Sequence, residues 1–212
     1  MDRDFVECHS AEFELKDHTR VLLRPVVPED RDLFIAAFGR LSDESIERRF
    51  MTKLQRLTDD MLTYLTVLDY ENHFAWGVLA MDEPEAPGIA VGRYVRSNHD
   101  PDSAEAAITV VDSYQGRGLG TLLLHVLAVT ARDHGIKRFR SYLSSENRKM
   151  IGILKDAGSA MKVDSPGVMV SDVELDALAG RLAEFPDHEA IVAAARGRSK
   201  RENGSKRKGT AQ

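Results

Sequence analysis

Apolar positions along the chain follow the two periods that distinguish strands from helices. Short runs rich in β-branched and other apolar residues predict six strands. These runs lie at 21–24, 74–80, 89–95, 104–111, 139–143 and 168–175. The segment between the second and third runs contains Pro84, Pro87 and Gly88, so these two strands are predicted to form a hairpin.

Helices are predicted where the apolar period lengthens and capping residues are present. Residues 119–133 have apolar side chains nearly all round, which predicts a helix packed deeply on a sheet, with Gly135 ending it. Ser42 and Thr58 are good N-caps for two of the others. The remaining helices are predicted at about 28–38, 43–50, 59–68, 147–157, 176–185 and 188–195. This order predicts an α+β fold, or an α/β fold with a mixed sheet.

A glycine-rich loop lies between the strand at 104–111 and the long helix, with the sequence Gln115-Gly116-Arg117-Gly118-Leu119-Gly120. Alternate residues without side chains, together with the free N–H groups and the dipole of the following helix, suit the loop to phosphate, and Arg117 can add a cation. A tight strand-to-helix turn would use the same residues. The loop alone therefore leaves both interpretations open.

Two common nucleotide-binding motifs do not fit this loop. A dinucleotide fingerprint that began at Gly116 would need glycine where Thr121 stands, and no acidic residue ends the next strand. The Gly-Lys-Ser/Thr of a P-loop is also missing. The seven histidines show no metal-ligand spacing, so no metal is expected.

The loop resembles the signature of the GNAT acetyltransferase superfamily, Gln/Arg-x-x-Gly-x-Gly/Ala, with Gln115, Gly118 and Gly120 at the fixed places. Further segments are similar to the Pat-like protein lysine acetyltransferase branch. They are Leu23-Arg24-Pro25, Pro28-Glu29-Asp30, Arg48-Arg49-Phe50, Leu68-Asp69-Tyr70 and Val91-Gly92-Arg93-Tyr94. The resemblance covers residues 20–175 and implies a central mixed, mostly antiparallel sheet of about six to seven strands flanked by helices.

The resemblance implies acetyl-CoA as the co-substrate. Loop amides would bind its pyrophosphate, and the splayed strand end at Val110 and Val111 would pair with the pantetheine arm. Asn147 would contact the pantetheine region, although asparagine is equally suited to cap the next helix. The implied cofactor-binding residues are Val110, Val111, Gln115, Gly116, Arg117, Gly118, Leu119, Gly120, Thr121 and Asn147.

An amine acceptor needs a base, because a lysine with a pKa of about 10.4 is almost fully protonated at neutral pH. Glu105 begins the strand that enters the loop, roughly 20 Å from the pyrophosphate end, and Pat-like relatives place their catalytic glutamate at the matching point. Glu105 is therefore the predicted general base, acting directly or through water, unless it is only an exposed strand carboxylate. Glu85 and Asp112 are weaker candidates. Leu154 stands where many GNAT enzymes carry a tyrosine acid.

The predicted function is N-acetyl transfer from acetyl-CoA to a primary amine by direct attack on the thioester, an acyltransferase activity of the EC 2.3.1 class. A protein lysine is the favoured acceptor, for example on an acyl-CoA synthetase. Two alternatives stay open: acetylation of a small amine, and a non-catalytic acyl-CoA sensor. Release of free thiol in the presence of amines would separate an enzyme from a sensor.

Composition and charge predict where in the cell the protein is located and how the chain is divided into domains. The single cysteine, the charged start of the chain and the lack of an apolar run of ~20 residues predict a soluble, cytoplasmic protein. The predicted parts are an N-terminal segment 1–19, a GNAT domain 20–175, a helical extension 176–195 and a disordered tail 196–212. This tail holds seven Lys/Arg against one Glu, so it could make weak polyanion contacts. The oligomeric state is not predicted.

Overall fold

A computed structural model describes residues 3–85, 87–185 and 187–198. One eight-stranded sheet with the order β1-β2-β3-β4-β5-β6-β8-β7 forms its centre. The strands are β1 (Ala11–Glu14), β2 (Arg20–Pro25), β3 (His73–Ala80), β4 (Gly88–Arg96), β5 (Ser103–Val110), β6 (Arg138–Ser144), β7 (Ala160–Ser165) and β8 (Val168–Glu174). All neighbours are antiparallel except β5 and β6, which are parallel.

Helices cover both faces of this sheet. They are α1 (Arg3–Cys8), α2 (Arg31–Phe38), α3 (Asp43–Phe50), α4 (Asp59–Thr66), α5 (Leu119–Asp133), α6 (Arg148–Asp156), α7 (Leu175–Gly180) and α8 (His188–Ala195), with 3₁₀ turns at Pro28–Asp30, Asp112–Tyr114 and Arg181–Glu184. The predicted α+β class with a mostly antiparallel mixed sheet is thus confirmed.

The long helix α5 packs on one face of the sheet and is buried for most of its length. Gly92 on β4 makes the close approach possible, because a Cβ there would lie 3.0 Å from Leu127 and 3.1 Å from Leu123. Arg93, the next residue, faces the opposite side, where α2, α3 and α4 lie. The sheet therefore has one face closed by α5 and another that carries polar groups.

The predicted helix boundaries rest on capping that the structure contains. The Ser42 hydroxyl accepts a hydrogen bond from the Ser45 N–H at 3.2 Å, and the Thr58 hydroxyl accepts one from the Met61 N–H at 3.3 Å. Gly135 follows α5 with φ +81°, the left-handed conformation that ends many helices. These caps use neighbours in the chain, which is why the sequence predicted them correctly.

Two strands and one helix go beyond the predicted elements. β1 has only four residues, too few for a clear alternation, and β7 is exposed along nearly its whole length, so neither produces an apolar pattern. The helix α1 has no buried residue. The sheet therefore has eight strands where about six to seven were expected.

The described segments that flank the predicted domain pack into the same core as that domain. Leu15 from the N-terminal segment is buried, as are Leu178 of α7 and Ile191 of α8. Of the predicted basic tail, residues 196–198 follow α8 in a turn, and 199–212 lie outside the described residues. No helix within the described ranges has the length and apolar character required to span a bilayer.

Candidate active site

The strands β5 and β6 separate partway along their length. They pair in parallel only over Ser103–Glu105, and a last contact runs from the Ser141 hydroxyl to the Ala106 carbonyl at 3.0 Å. Beyond that point β5 stays paired with β4 as far as Val110, whereas β6 pairs with β8. The edge of β5 at residues 107–110 that faces β6 therefore has no strand partner.

A groove of about 430 Å³ opens between the separated strands and the start of α5. Eight of the ten predicted cofactor-binding residues line it: Val110, Gln115, Gly116, Gly118, Leu119, Gly120, Thr121 and Asn147. Met150 and Ile153 of α6 add an apolar wall. The structure thus brings the strand end, the glycine loop and Asn147 to one site.

The glycine loop presents unpaired backbone donors to this groove. Gly116 and Gly118 have φ +80° and +89°, which strongly favour glycine, and a Cβ on either would meet no atom within 4 Å. Leu122 is the first residue of α5 whose N–H bonds back into the helix, to the Gly118 carbonyl. The preceding N–H groups of α5 have no backbone acceptor in the part of the chain that the structure describes, so they are free to bind an anion, and no acidic residue occupies that turn.

Gln115 ties the loop to three surrounding elements. Its Nε2 donates to the Val110 carbonyl at 3.3 Å and to the Ser45 hydroxyl at 3.2 Å, while its Oε1 accepts from the Lys149 ammonium at 3.1 Å. Gln115 therefore connects β5, α3 and α6 around the groove. This position explains why glutamine, with both a donor and an acceptor, begins the loop.

Asp112 organises the other side of the loop. Its carboxylate accepts from the Ser42 N–H at 2.9 Å and from the hydroxyls of Ser42 and Ser45 at 3.0 and 2.8 Å. Burial raises the pKa of Asp112, but these hydrogen bonds outweigh it and hold the pKa below its usual range. Asp112 is thus a structural anion at the N-terminus of α3, a role that does not suit a general base.

Asn147 combines two positions. It is the N-cap of α6, with its Oδ1 accepting from the Met150 N–H at 3.2 Å, and it also lines the groove. Among the described residues no acceptor lies at its Nδ2. The capping interpretation is therefore correct, and it leaves the Nδ2 donor for a ligand.

Two predicted residues do not line the groove. Val111 is buried and lines a smaller neighbouring cavity. Arg117 donates to the Asp17 carboxylate at 2.5 Å and to the Ser113 carbonyl at 2.8 Å, and it stacks on the Tyr114 ring. The cation expected from Arg117 is engaged with the turn after β1.

Glu105 is exposed near the start of β5, where this strand pairs with Val95 of β4 and Arg140 of β6. It does not line the groove wall. By the strand register it shares a sheet face with Arg93, on the side of α2 to α4. Glu85 is exposed in the turn between β3 and β4, and Leu154 is buried in the core.

Three basic residues that were not predicted as part of the site also line the groove: Arg48, Arg49 and Lys149. Lys149 lies in the first turn of α6, where the helix dipole disfavours a cation. A lysine in that position is a sequence signal for a nearby anion. Arg48 and Arg49 end α3, a favourable place for cations, and so gave no such signal.

Comparison with known proteins identifies the family. Residues 20–160 match the family model described as the acetyltransferase (GNAT) domain. Because this match covers more than half of the chain, the protein belongs to the GNAT acetyltransferase family. The fold described above is the one that the sequence resemblance implied.

The chain is similar to several characterised relatives. It is 35% identical to Acetyltransferase Pat of Mycolicibacterium smegmatis over 72% of this chain and 45% of that protein, and 31% identical to Acetyltransferase PA5475 of Pseudomonas aeruginosa over 64% and 73%. The crystal structure of the GNAT domain of S. lividans PAT superposes with a TM-score of 0.71 at 29% identity, covering 78% of this chain and 96% of that one. The match to the Mycolicibacterium protein thus spans less than half of that relative.

Proposed function

We propose that this protein transfers an acetyl group from acetyl-CoA to a primary amine, with a protein lysine as the acceptor. The observation that carries the proposal is the groove that runs from the glycine loop along the unpaired edge of β5 towards Glu105. Family membership and the similarity to Acetyltransferase Pat support it. Because acetyl-CoA is a cytoplasmic metabolite, the proposal also implies a cytoplasmic location.

The groove fits the chemical parts of acetyl-CoA. The free N–H groups of the glycine loop and the start of α5, together with Lys149, would hold the pyrophosphate. The N–H and C=O groups of β5 at 107–110 that face away from β4, apart from the Val110 carbonyl bound by Gln115, would pair with the amides of the pantetheine arm. From Val110 to Glu105 the strand spans roughly 17 Å at 3.3 Å per residue, which matches the length of an extended arm.

In the proposed reaction the amine nitrogen bonds to the acetyl carbon and the bond to the CoA sulfur breaks. Glu105 accepts the proton of the acceptor amine, directly or through water. Because Leu154 is buried and carries no acid, solvent water protonates the departing thiolate. No group of three or more potential metal ligands occurs in the described part of the chain, and the reaction requires none.

Calorimetric titration with acetyl-CoA, followed by a thiol-release assay, tests the proposal. We expect saturable binding and thiol release that depends on a lysine-containing peptide. Thiol release only with small amines such as polyamines would favour the small-amine alternative. Binding without release for any acceptor would favour a sensor, and the absence of binding at millimolar acetyl-CoA would refute the proposal.

Replacing Glu105 by glutamine tests the assigned base. Glu105→Gln should leave acetyl-CoA affinity close to wild type while turnover falls about 10²- to 10⁴-fold, the usual contribution of a positioned base. Activity should recover partly at high pH, where more of the acceptor is neutral. Glu85→Gln, an exposed change in the turn between β3 and β4, is the matched control and should turn over normally. Normal turnover of Glu105→Gln at neutral pH would exclude the role.

A further inference from the structure

A second, smaller cavity of about 80 Å³ lies beside the groove, between the sheet and helices α2 to α4. Arg49 and Thr109 line both spaces, so the cavity adjoins the groove. Its walls are mainly apolar and include Phe34, Phe38 and Phe50. The register of β5 places Thr109 and Glu105 on the same sheet face, which puts the cavity on the side where acyl transfer is proposed.

The charges that line this cavity do not balance. Arg24 forms a two-pronged ion pair with the buried Asp30 at 2.6 and 2.8 Å, and so these two charges cancel. Arg49 and Arg93 also line the cavity, and within the described ranges neither forms a salt bridge with a carboxylate. Neither positive charge is therefore cancelled by a salt bridge, although Glu105, which does not line the cavity, attracts Arg49.

Arg93 is the more deeply buried of the two, at 3% exposed. Its guanidinium donates to the Leu65 carbonyl at 3.0 Å and to the His73 Nε2 at 3.1 Å, both uncharged acceptors. The rings of Phe34 and Tyr64 lie 6.0 and 5.8 Å from it. Its hydrogen bonds are thus partly satisfied, but its charge is not neutralised.

Burial, together with the nearby positive charge of Arg49, lowers the pKa of Arg93 to about 9. Burial also lowers the pKa of Arg49, more than the neighbouring Glu105 raises it. A guanidinium does not readily lose its proton, so these shifts represent mainly the cost of burying two cations, to which the repulsion of Arg93 by Arg49 adds. An anion between them would remove that cost.

We propose that Arg49 and Arg93 form a carboxylate-binding site in this cavity beside the groove, which recognises a carboxylate carried by one of the two reactants. The planar guanidinium fork fits a carboxylate, and the small volume suits a short acidic chain better than a phosphate-bearing nucleotide. The inference rests on the proposed acyl transfer and deepens it. The carboxylate belongs either to the acyl group, as in succinyl-CoA, or to an acidic residue beside the acceptor lysine, and in both cases it passes through the reaction unchanged.

The first arm of the test addresses the donor. Acetyl-CoA and succinyl-CoA are titrated by calorimetry into wild type, Arg49→Gln, Arg93→Met and Arg31→Gln. Arg31 is an arginine of α2 that pairs with Asp59 outside the cavity, so its variant is the matched control. If the carboxylate is on the acyl group, wild type and the control bind succinyl-CoA about tenfold more tightly than acetyl-CoA, as expected for a charged hydrogen-bonded pair. Both cavity variants lose this preference.

The second arm addresses the acceptor. Thiol release from acetyl-CoA is compared for two peptides that differ only by glutamate or glutamine next to the lysine. If the carboxylate is on the acceptor, kcat/KM of wild type and of the control is about tenfold higher for the glutamate peptide. The cavity variants treat both peptides alike. Arg49 is partly exposed, so Arg49→Gln should fold and can test the carboxylate site on its own. This holds even if thermal melting shows that Arg93→Met is unfolded.

Loss of discrimination in either arm supports the site and identifies the reactant that carries the carboxylate. If wild type binds acyl-CoA but discriminates in neither arm, or if the variants discriminate as wild type does, the carboxylate site is refuted and the proposed function stands. If wild type binds neither acyl-CoA, the proposed function fails first, and this inference fails with it.

Discussion

Gly118 shows how much of the candidate site depends on one residue without a side chain. It combines φ +89° with a place in the groove wall, directly before the free N–H groups of α5. Gly118→Asp would put a carboxylate where the phosphates are proposed to bind, and a left-handed φ costs a non-glycine residue roughly 1–2 kcal/mol. Acetyl-CoA affinity should fall at least about 100-fold, because backbone donors and charge are both affected.

Two variants separate charge from backbone strain at Gly118. Gly118→Ala carries the strain without the charge and should weaken binding less than Gly118→Asp. Gly158 also has a left-handed φ, +80°, but lies outside the groove, so Gly158→Ala should lower the melting temperature and leave affinity unchanged. Calorimetric titration checks all three. Equal acetyl-CoA affinity in Gly118→Asp and wild type would show that the loop is only structural.

His73 should make stability depend on pH. Burial, together with the positive charge of Arg93, lowers its pKa from 6.5 to about 4. Between pH 6.5 and about 4 the unfolded state binds a proton at His73 that the folded state does not. The free energy of unfolding therefore falls as the pH drops through this range. Below about pH 4 both states are protonated, so the contribution of His73 no longer changes. We expect a loss of about 1–2 kcal/mol, allowing for screening by solvent.

His73→Gln tests this dependence, because an amide oxygen can still accept a hydrogen bond from Arg93. Denaturant unfolding of the variant at several pH values should show a shallower loss of stability over the same range. Burial also lowers the pKa of His9 and of His134, so these two residues should account for the pH dependence that remains in the variant. His99→Gln, in the exposed turn after β4, should behave as wild type. Identical slopes for His73→Gln and wild type would contradict the assignment.

At the scale of elements, α3 is held to the end of β5 by Asp112. The Asp112 carboxylate accepts hydrogen bonds from the Ser42 N–H and from the hydroxyls of Ser42 and Ser45, at the positive end of the dipole of α3. Asp112→Asn should therefore cost about 1 kcal/mol of stability through lost charge–dipole and hydrogen-bond interactions. It should also weaken acetyl-CoA binding several-fold, because α3 carries Arg48 and Arg49 at its other end.

An aspartate in the first turn of a different helix provides the control for Asp112. Asp176 lies in the first turn of α7 and pairs with Arg132, away from the groove. Asp176→Asn should change stability slightly and leave affinity unchanged. Urea unfolding and calorimetry measure the two effects. If Asp112→Asn binds acetyl-CoA as tightly as wild type, the position of α3 does not depend on this contact.

At the scale of the whole molecule, α8 completes the core over α5. Ile191, Ala194 and Ala195 are buried there. Truncation before Asp187 would remove these side chains and uncover the surface of α5, with an expected loss of about 3–5 kcal/mol, a large part of a typical domain's stability. Thermal melting should show a strongly lowered or absent transition.

Truncation before residue 199 is the matched control for that deletion. Residues 199–212 carry no apolar side chain larger than that of Ala211, so the melting temperature and acetyl-CoA affinity should stay near wild type. If the two truncations melt alike, the packing of α8 contributes little to stability. If the shorter deletion unfolds the protein, residues 199–212 contact the domain.

The sequence by itself determined the features that depend on near neighbours in the chain. The caps at Ser42 and Thr58, the end of α5 at Gly135 and the glycine loop all follow from hydrogen bonds or φ angles within about four residues. The fold class was also predictable, because each strand and helix of the central part repeats its own apolar period. These local preferences do not depend on what packs against them.

Only the tertiary structure decided which side chains face the groove. Arg117 leaves it because Asp17, a hundred positions earlier in the chain, accepts its guanidinium. Arg49 and Arg93 line one cavity because α3 packs against β5, the strand that pairs with β4. The groove itself exists because parallel pairing of β5 and β6 stops at Glu105. Such contacts join residues far apart in sequence, and their geometry is set by the packing of helices on the sheet, which no local pattern encodes.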